Sequence, residues 1–437
     1  MGHNPVSLPW GKETVQLTLP DGWQIKGVLE PAALSPAADP QAEVRRSLQS
    51  PIGSPRLVDL VRPGMKVALV IDDGSRPTPV ARILPEVLAD LDQVGLSRQD
   101  LTVVPALGLH RPMPAGEIAA RIGFADLSGL NFDNPACDDL ESLALLGTTR
   151  RGTPVWVNRT VAEADLVVSI GCIEPHIIAS FGGGYKNIVP GVAGRRTIAH
   201  NHSLNCTPDT FNMVGQPIES NPMRLDLEEA AGMLKPPVFI VNSVLNNTLQ
   251  IVKIVCGHPI GAHRAGAQVS AQLYGVCVPG AADIVITDSH PMDQDLRQGV
   301  KALANTVRAL RPGGVLITLV RAEEGVGVFG LANRKLPLGR SSLKTLAPLL
   351  VRMVPRLKLK GMGEEDRFFL YFALQAMRHG SLLMYAPTIP AETQERLPFV
   401  RFCASIPQAL DQARQRFPGK ASLLVFPHGG ITYPVFQ

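Results

Sequence analysis

Residues 167–202 read Val-Val-Ser-Ile-Gly-Cys-Ile-Glu-Pro-His-Ile-Ile-Ala-Ser-Phe-Gly-Gly-Gly-Tyr-Lys-Asn-Ile-Val-Pro-Gly-Val-Ala-Gly-Arg-Arg-Thr-Ile-Ala-His-Asn-His. The apolar run Leu166–Ile170 predicts a buried strand. A loop carrying His176 follows, then Gly182-Gly183-Gly184-Tyr185-Lys186, then Pro190-Gly191 and the histidines His200 and His202. Glycine lets backbone approach a ligand closely and reach positive φ, so Lys186 can meet a ligand without a crowded wall. The same run also suits an ordinary Gly-rich surface loop. Neither standard phosphate motif explains it. A Walker loop needs Gly where Tyr185 stands, and the dinucleotide fingerprint needs Gly where Asn187 stands.

Working outward, strand and helix alternate. Lys66–Ile71 reads as a buried strand running into Asp72-Asp73-Gly74-Ser75-Arg76-Pro77-Thr78-Pro79. Val80, Ile83, Leu84, Val87, Leu88 and Leu91 then recur at helical spacing. Strand, polar loop and helix N-terminus can present backbone N–H groups to an anion, or can be a plain βα turn capped by Asp72 or Asp73. Leu101–Pro105 is the next strand, and it leads to His110, a position where open parallel sheets bind ligands. Further out, Thr14–Leu19 and Trp23–Leu29 flank Pro20-Asp21-Gly22 and predict a β-hairpin. A second hairpin is predicted about Asn246-Asn247. An α/β rhythm restarts after Val278-Pro279-Gly280, so two domains are expected, residues 1–275 and 276–437. The second carries Ser289-His290-Pro291 and the polar turn Asp295-Leu296-Arg297-Gln298-Gly299-Val300-Lys301. Its last residues, around His428-Gly429-Gly430, are expected to pack back on the first domain.

The chain has 437 residues, 45% of them hydrophobic and 18% charged, which is the composition of a folded protein of two or three domains. A net charge of +4 with no basic block argues against nucleic-acid binding. The six cysteines are scattered without CxxC spacing, as expected of reduced cytosolic thiols. No signal peptide or membrane-length apolar run is visible. The expectation is a cytoplasmic protein with no membrane partner.

Asp73-Gly74-Ser75-Arg76-Pro77, Gly108-Leu109-His110-Arg111-Pro112, Glu174-Pro175-His176, the Gly182–Lys186 run with Pro190-Gly191, the Thr197 to His202 segment and Gln298-Gly299-Val300-Lys301 occur in one order and spacing. In this the chain resembles the nickel-dependent lactate racemase family, 2-hydroxyacid racemases and epimerases that use a nickel-pincer nucleotide. The resemblance covers most of the chain and is densest at 70–202. It implies two α/β domains, each a mostly parallel sheet flanked by helices, with the active site in the cleft between them. It implies that Lys186 holds the nucleotide through a thioamide, and that His202 is the protein's only ligand to a square-planar nickel. The loop of Asp73, Gly74, Ser75 and Arg76 would cradle the phosphate. His110 and His176 would be the acid/base pair, and Gln298 and Lys301 would reach cofactor or substrate. The implied chemistry removes the hydroxyl proton as hydride leaves the α-carbon. Inversion needs two bases, because each enantiomer presents its hydroxyl to a different side. The partners implied are a small 2-hydroxyacid and the enzymes that make the nucleotide.

Departures cluster at the expected substrate wall. Lactate-specific members tend to have Gly-Gly-Tyr-Pro where this chain has Ser289-His290-Pro291, and Tyr where Arg297 stands. No Trp follows Trp156, so an aromatic wall would have to come from Phe368, Phe369, Tyr371 or Phe372. The expectation is a 2-hydroxyacid other than lactate, larger or bearing a second polar or carboxylate group near Arg297, His290, Arg76 or Lys301. His200 is expected to be structural, and His3, His258, His263, His379 and His428 to be surface or packing residues. Two readings from other classes remain open: a nicotinamide-dependent oxidoreductase, and a non-catalytic nucleotide-binding protein.

Overall fold

The structure is a computed structural model that describes residues 6–123, 129–327, 329–356 and 362–436. His3 lies outside the described residues. The chain divides into two compact units. One comprises residues 34–204 and 216–273; the other comprises 1–33, 205–215 and 274–437. The change of unit expected at 275 therefore falls at 273/274. The opening residues and a short internal segment, however, belong with the C-terminal half.

In the first unit a six-stranded sheet has the order Ile251–Gly257, Val238–Leu245, Leu166–Cys172, Val67–Asp72, Leu101–Ala106, Asn131–Phe132. All pairs are parallel except the first, the hairpin predicted about Asn246-Asn247. Every residue of Val67–Asp72 and Leu166–Cys172 is buried, because helices cover both faces of such a sheet. The helix Val80–Gln93 buries the six apolar positions read from its spacing. They join one core with Leu69, Ile71, Val103, Val168 and Ile170.

The second unit has a six-stranded, all-parallel sheet in the order Arg401–Phe402, Ser381–Tyr385, Leu310–Leu319, Ala282–Asp288, Ala421–Phe426, Trp23–Val28. The predicted hairpin about Pro20-Asp21-Gly22 is corrected here. Gly22 does turn the chain with φ +87, but Trp23–Val28 leaves to pair parallel with Ala421–Phe426. The true opening hairpin joins Val6–Trp10 to Glu13–Leu17 across Gly11, whose φ is +64. Turn residues mark where a chain bends; the choice of strand partner was made some 400 residues away. Tyr433–Phe436 pairs with Gly275–Val278 of its own unit. No described helix is long and apolar enough to cross a membrane.

Candidate active site

In the first unit the chain builds outward from Val67–Asp72 through Leu101–Ala106, then crosses back to place Leu166–Cys172 on the other side. Such a reversal of strand order leaves a crevice at the carboxyl ends of the two central strands. The loops leaving those ends carry most of the residues singled out from the sequence.

The first loop organises a histidine. His110 Nδ1 lies 2.5 Å from Asp73 Oδ2, and Ser75 Oγ donates to Asp73 Oδ1 at 2.7 Å. Burial opposes ionisation of Asp73, but the His110 hydrogen bond and charge, with Ser75 and Arg76, outweigh it and bring the carboxyl down to about 2. An ionised carboxylate only accepts, so Nδ1 of His110 carries a hydrogen, and in the neutral ring Nε2 is the nitrogen with the lone pair. Asp73, expected in the phosphate cradle, has its carboxylate on His110 and Ser75. Arg76 reaches across to the second loop, with Nη1 2.6 Å from Glu174 Oε1. No side chain caps the helix that follows, but Val80 N and Arg82 N already donate to the carbonyls of Thr78 and Pro79. Asp72, the neighbour of Asp73, turns inward to Thr78 Oγ1 and to the Cys172 amide.

The second loop carries Lys186, which is 9% exposed. Burial, then the positive charges of Arg76 and Arg224, push its amine far below the ordinary lysine range. No ion pair to Lys186 occurs among the described residues. The Gly-rich run around it is held from behind. Gly184 N donates to Asn242 Oδ1 at 2.7 Å. The fully buried Arg224 fans its guanidinium over backbone carbonyls: Nε to Ala179 at 3.4 Å, Nη1 to Gly183 at 3.2 Å, and Nη2 to Phe181. His263, also fully buried, places Nε2 2.8 Å from the carbonyl of Gly182. Gly183 has φ +73, and a Cβ there would stand 2.7 Å from Asn242 Oδ1, so this position needs glycine. Because Arg224 answers several carbonyls at once, Arg224→Leu should destabilise the protein by about 3–5 kcal/mol. Thermal unfolding would check this, and Arg224→Lys should fall between the two.

His176 faces the opposite constraint from His110. Its Nδ1 accepts from the amides of Ile178 and Ala179 at 3.3 and 3.2 Å, so the hydrogen of its neutral ring sits on Nε2. The two rings therefore start as opposites, one with an open Nε2 and one with Nε2–H. On the helix Arg195–Ser203, His200 is held by Thr153 Oγ1 at 2.8 Å. His202, two residues on and about 200° round the helix, faces elsewhere. The structure thus assigns His200 a packing role.

The remaining residues lie in the other unit. Gln298 and Lys301 are on the helix Leu296–Thr306, capped by Asp295, whose side chain accepts from Gln298 N at 2.7 Å. Arg297 lies over the ring of Phe369, 5.6 Å from its centre. His290 stands 5.4 Å, ring to ring, from His428. Several residues escaped the sequence reading. Arg224 and His263 act on carbonyls about 40 and 80 residues earlier in the chain, and no local pattern announces that. Asn242 was detectable as an amide inside a largely apolar strand, where burial demands a partner. Glu174 was quoted in a motif without a role.

A carboxylate-held imidazole, a second imidazole and a buried amine thus stand on the loops at the switch point of one unit's α/β sheet. The family model of the lactate racemase N-terminal domain matches residues 10–212. The lactate racemase of Thermoanaerobacterium thermosaccharolyticum is 32% identical over 329 residues, 74% of this chain and 76% of that protein. That of Lactiplantibacillus plantarum is 30% identical over 328 residues, with the same shares. Among solved structures, the lactate racemase apoprotein from T. thermosaccharolyticum superimposes with a TM-score of 0.84 at 26% identity, covering 99% of this chain and 100% of that one. A Thermotoga maritima protein matches with a TM-score of 0.66 at 16% identity, over 91% of this chain and 98% of its own, a likeness of fold alone. The chain belongs to the lactate racemase family and is an isomerase of the racemase and epimerase class.

Proposed function

We propose that this protein inverts the α-carbon of a 2-hydroxyacid other than lactate, using a nickel-pincer nucleotide attached to Lys186, with His202 as the nickel ligand. The observation that carries the reading is the state of Lys186: a buried amine with no ion pair among the described residues, its pKa lowered well below the ordinary lysine range by burial. An amine must be neutral to form an amide or thioamide. Other features fit the same group. The guanidinium of Arg76 suits a phosphate. Among the described residues no three His, Cys, Asp or Glu side chains gather into a metal cage. A single imidazole with sulfur and carbon donors from a nucleotide is therefore a better match than a protein-built metal site.

When bound, the nucleotide supplies a reversible acceptor for hydride. The chain's own residues handle the proton. His110 Nε2 takes the hydroxyl proton of one enantiomer, and Asp73 stabilises the imidazolium that results. His176, with hydrogen on Nε2, stands ready to return a proton to the other side. Arg76, oriented by Glu174, offers its remaining donors to an anionic oxygen. Protein co-expressed with the nucleotide-making enzymes should show an added mass at Lys186, about one nickel per chain, and racemisation without added NAD. An unmodified Lys186, under conditions that load a known lactate racemase, would sink the reading. Substrates turned over only with NAD would instead favour a nicotinamide oxidoreductase.

A further inference from the structure

The helix Arg195–Ser203 is not held as most surface helices are. An amphipathic helix takes its rotation from an apolar stripe packed on the core. Here Ile198 is the one buried apolar side chain, and the other buried positions are Thr197 and Asn201. No side chain caps the start of the helix. Polar bonds take the place of the stripe. Thr197 Oγ1 accepts from Trp156 N at 2.8 Å and donates to the Pro154 carbonyl at 2.7 Å. Asn201 Nδ2 donates to the Met223 carbonyl at 3.0 Å and to Asp226 Oδ2 at 2.8 Å. His200 Nδ1 lies 2.8 Å from Thr153 Oγ1.

Most of these bonds converge on Asp226, a fully buried residue of the helix Pro222–Ala231. Its Oδ1 accepts from Thr149 Oγ1 at 2.6 Å, and its Oδ2 accepts from Thr153 Oγ1 at 2.7 Å as well as from Asn201. Thr153, also fully buried, has one hydroxyl hydrogen and gives it to Asp226. Its oxygen therefore accepts from His200 Nδ1–H. The turn that supplies both threonines is closed on itself. Thr149 N donates to the Thr153 carbonyl at 2.9 Å, and Thr153 N donates to Thr149 Oγ1 at 3.0 Å. One carboxyl group thus ties the turn 149–153 and two helices, all within one unit. Apolar side chains of similar volume would join these elements at least as firmly, because a buried carboxyl group gives up hydration that its new partners only offset. What directional bonds add to apolar contact is a single rotation of the helix.

We propose that Asp226, acting through Thr153, His200 and Asn201, is a positioning residue that aims His202, so that its loss loosens the hold on nickel while the attachment at Lys186 persists. This rests on the function proposed above, which gives the nickel to His202. The test uses full-length protein co-expressed with the nucleotide-making enzymes. Intact mass reads the adduct at Lys186, and the rate of nickel release to a chelator reads His202. Thr153→Val keeps the shape of the side chain and cuts the link from Asp226 to His200. It should retain the adduct and release nickel roughly 10- to 100-fold faster, the range for partners that orient a metal ligand. Thr153→Ser, which keeps the hydroxyl, should release nickel at close to the wild-type rate. Asp226→Asn should behave as Thr153→Val does, and if it fails to fold the two Thr153 variants decide. A role in stability alone would lower Tm in these variants and leave nickel release from the folded, adduct-bearing protein unchanged. That result overturns the inference and leaves the proposed function standing. Nickel release from Thr153→Ser as fast as from Thr153→Val also overturns it, since packing and not the hydroxyl would then be at work. A wild type that carries neither adduct nor nickel overturns both.

Discussion

Lys186→Arg is expected to carry no adduct and to lose at least roughly 10⁴-fold in racemisation, as when a group on which every later step depends is removed. Arginine keeps the length and charge but stays protonated at any working pH and does not acylate. The native amine is different because its surroundings lower its pKa well below the ordinary lysine range. Burial comes first, and Arg76 and Arg224 add to it. A measurement independent of activity follows. In protein made without the nucleotide, an acylating reagent near pH 7 should modify Lys186 ahead of the surface lysines, which remain ammonium ions. Reaction of Lys186 at no greater rate than its neighbours would overturn the account. Linkage gives a second readout. The folded-state pKa is depressed, so between that value and the ordinary lysine value near 10.4 the unfolded chain binds more protons, and stability rises with pH. At neutral pH the native lysine is therefore a cost to the fold. Lys186→Met, which removes the amine and keeps an unbranched apolar chain, should raise the Tm of the unloaded protein.

That cost marks the limit of what the sequence shows. The strands Val67–Asp72 and Leu166–Cys172, the helix Val80–Gln93 and the hairpin about Asn246-Asn247 were legible because each is dictated by local periodicity or turn chemistry. His110, His176 and Lys186 were legible as positions just beyond strands of one sheet. What was hidden is whatever is decided across the chain. Trp23–Val28 could have paired with the segment beside it, yet it completes a sheet edge next to Ala421–Phe426. Asp73 read equally well as a phosphate residue or a helix cap, and only the approach of His110 fixes its use. The guanidinium of Arg224 sits on an amphipathic helix with nothing to distinguish it from a surface arginine. Its burial against the carbonyls of residues 179–183 emerges only when the two segments meet. His428, placed among the packing histidines on sequence grounds, stands beside His290 for the same reason.

Asp73→Asn is expected to lower kcat by roughly 10²–10⁴-fold with little change in KM, the range for losing a positioned acid–base group or its correct tautomer. The amide can turn its NH₂ toward His110 Nδ1, which moves the ring hydrogen to Nε2 and closes the lone pair that should take the substrate proton. His110→Ala should cost about as much, and the double variant little more than either single, because the two residues act as one unit. Independent, multiplying losses would mean that Asp73 serves the phosphate instead. A structural readout separates the two roles further. The folded-state pKa of Asp73 is about 2, below the ordinary 3.8, held there chiefly by His110 against the opposing effect of burial. Its stabilisation is therefore complete above the ordinary value and is lost as pH falls from near 3.8 toward about 2. Acid unfolding of the wild type should steepen across that window, and Asp73→Asn should flatten it. His110→Ala should flatten it too if the imidazole is what holds the carboxylate. A slope that survives in His110→Ala would transfer that role to Ser75 and Arg76, and with it the claim that Asp73 sets the tautomer of the base.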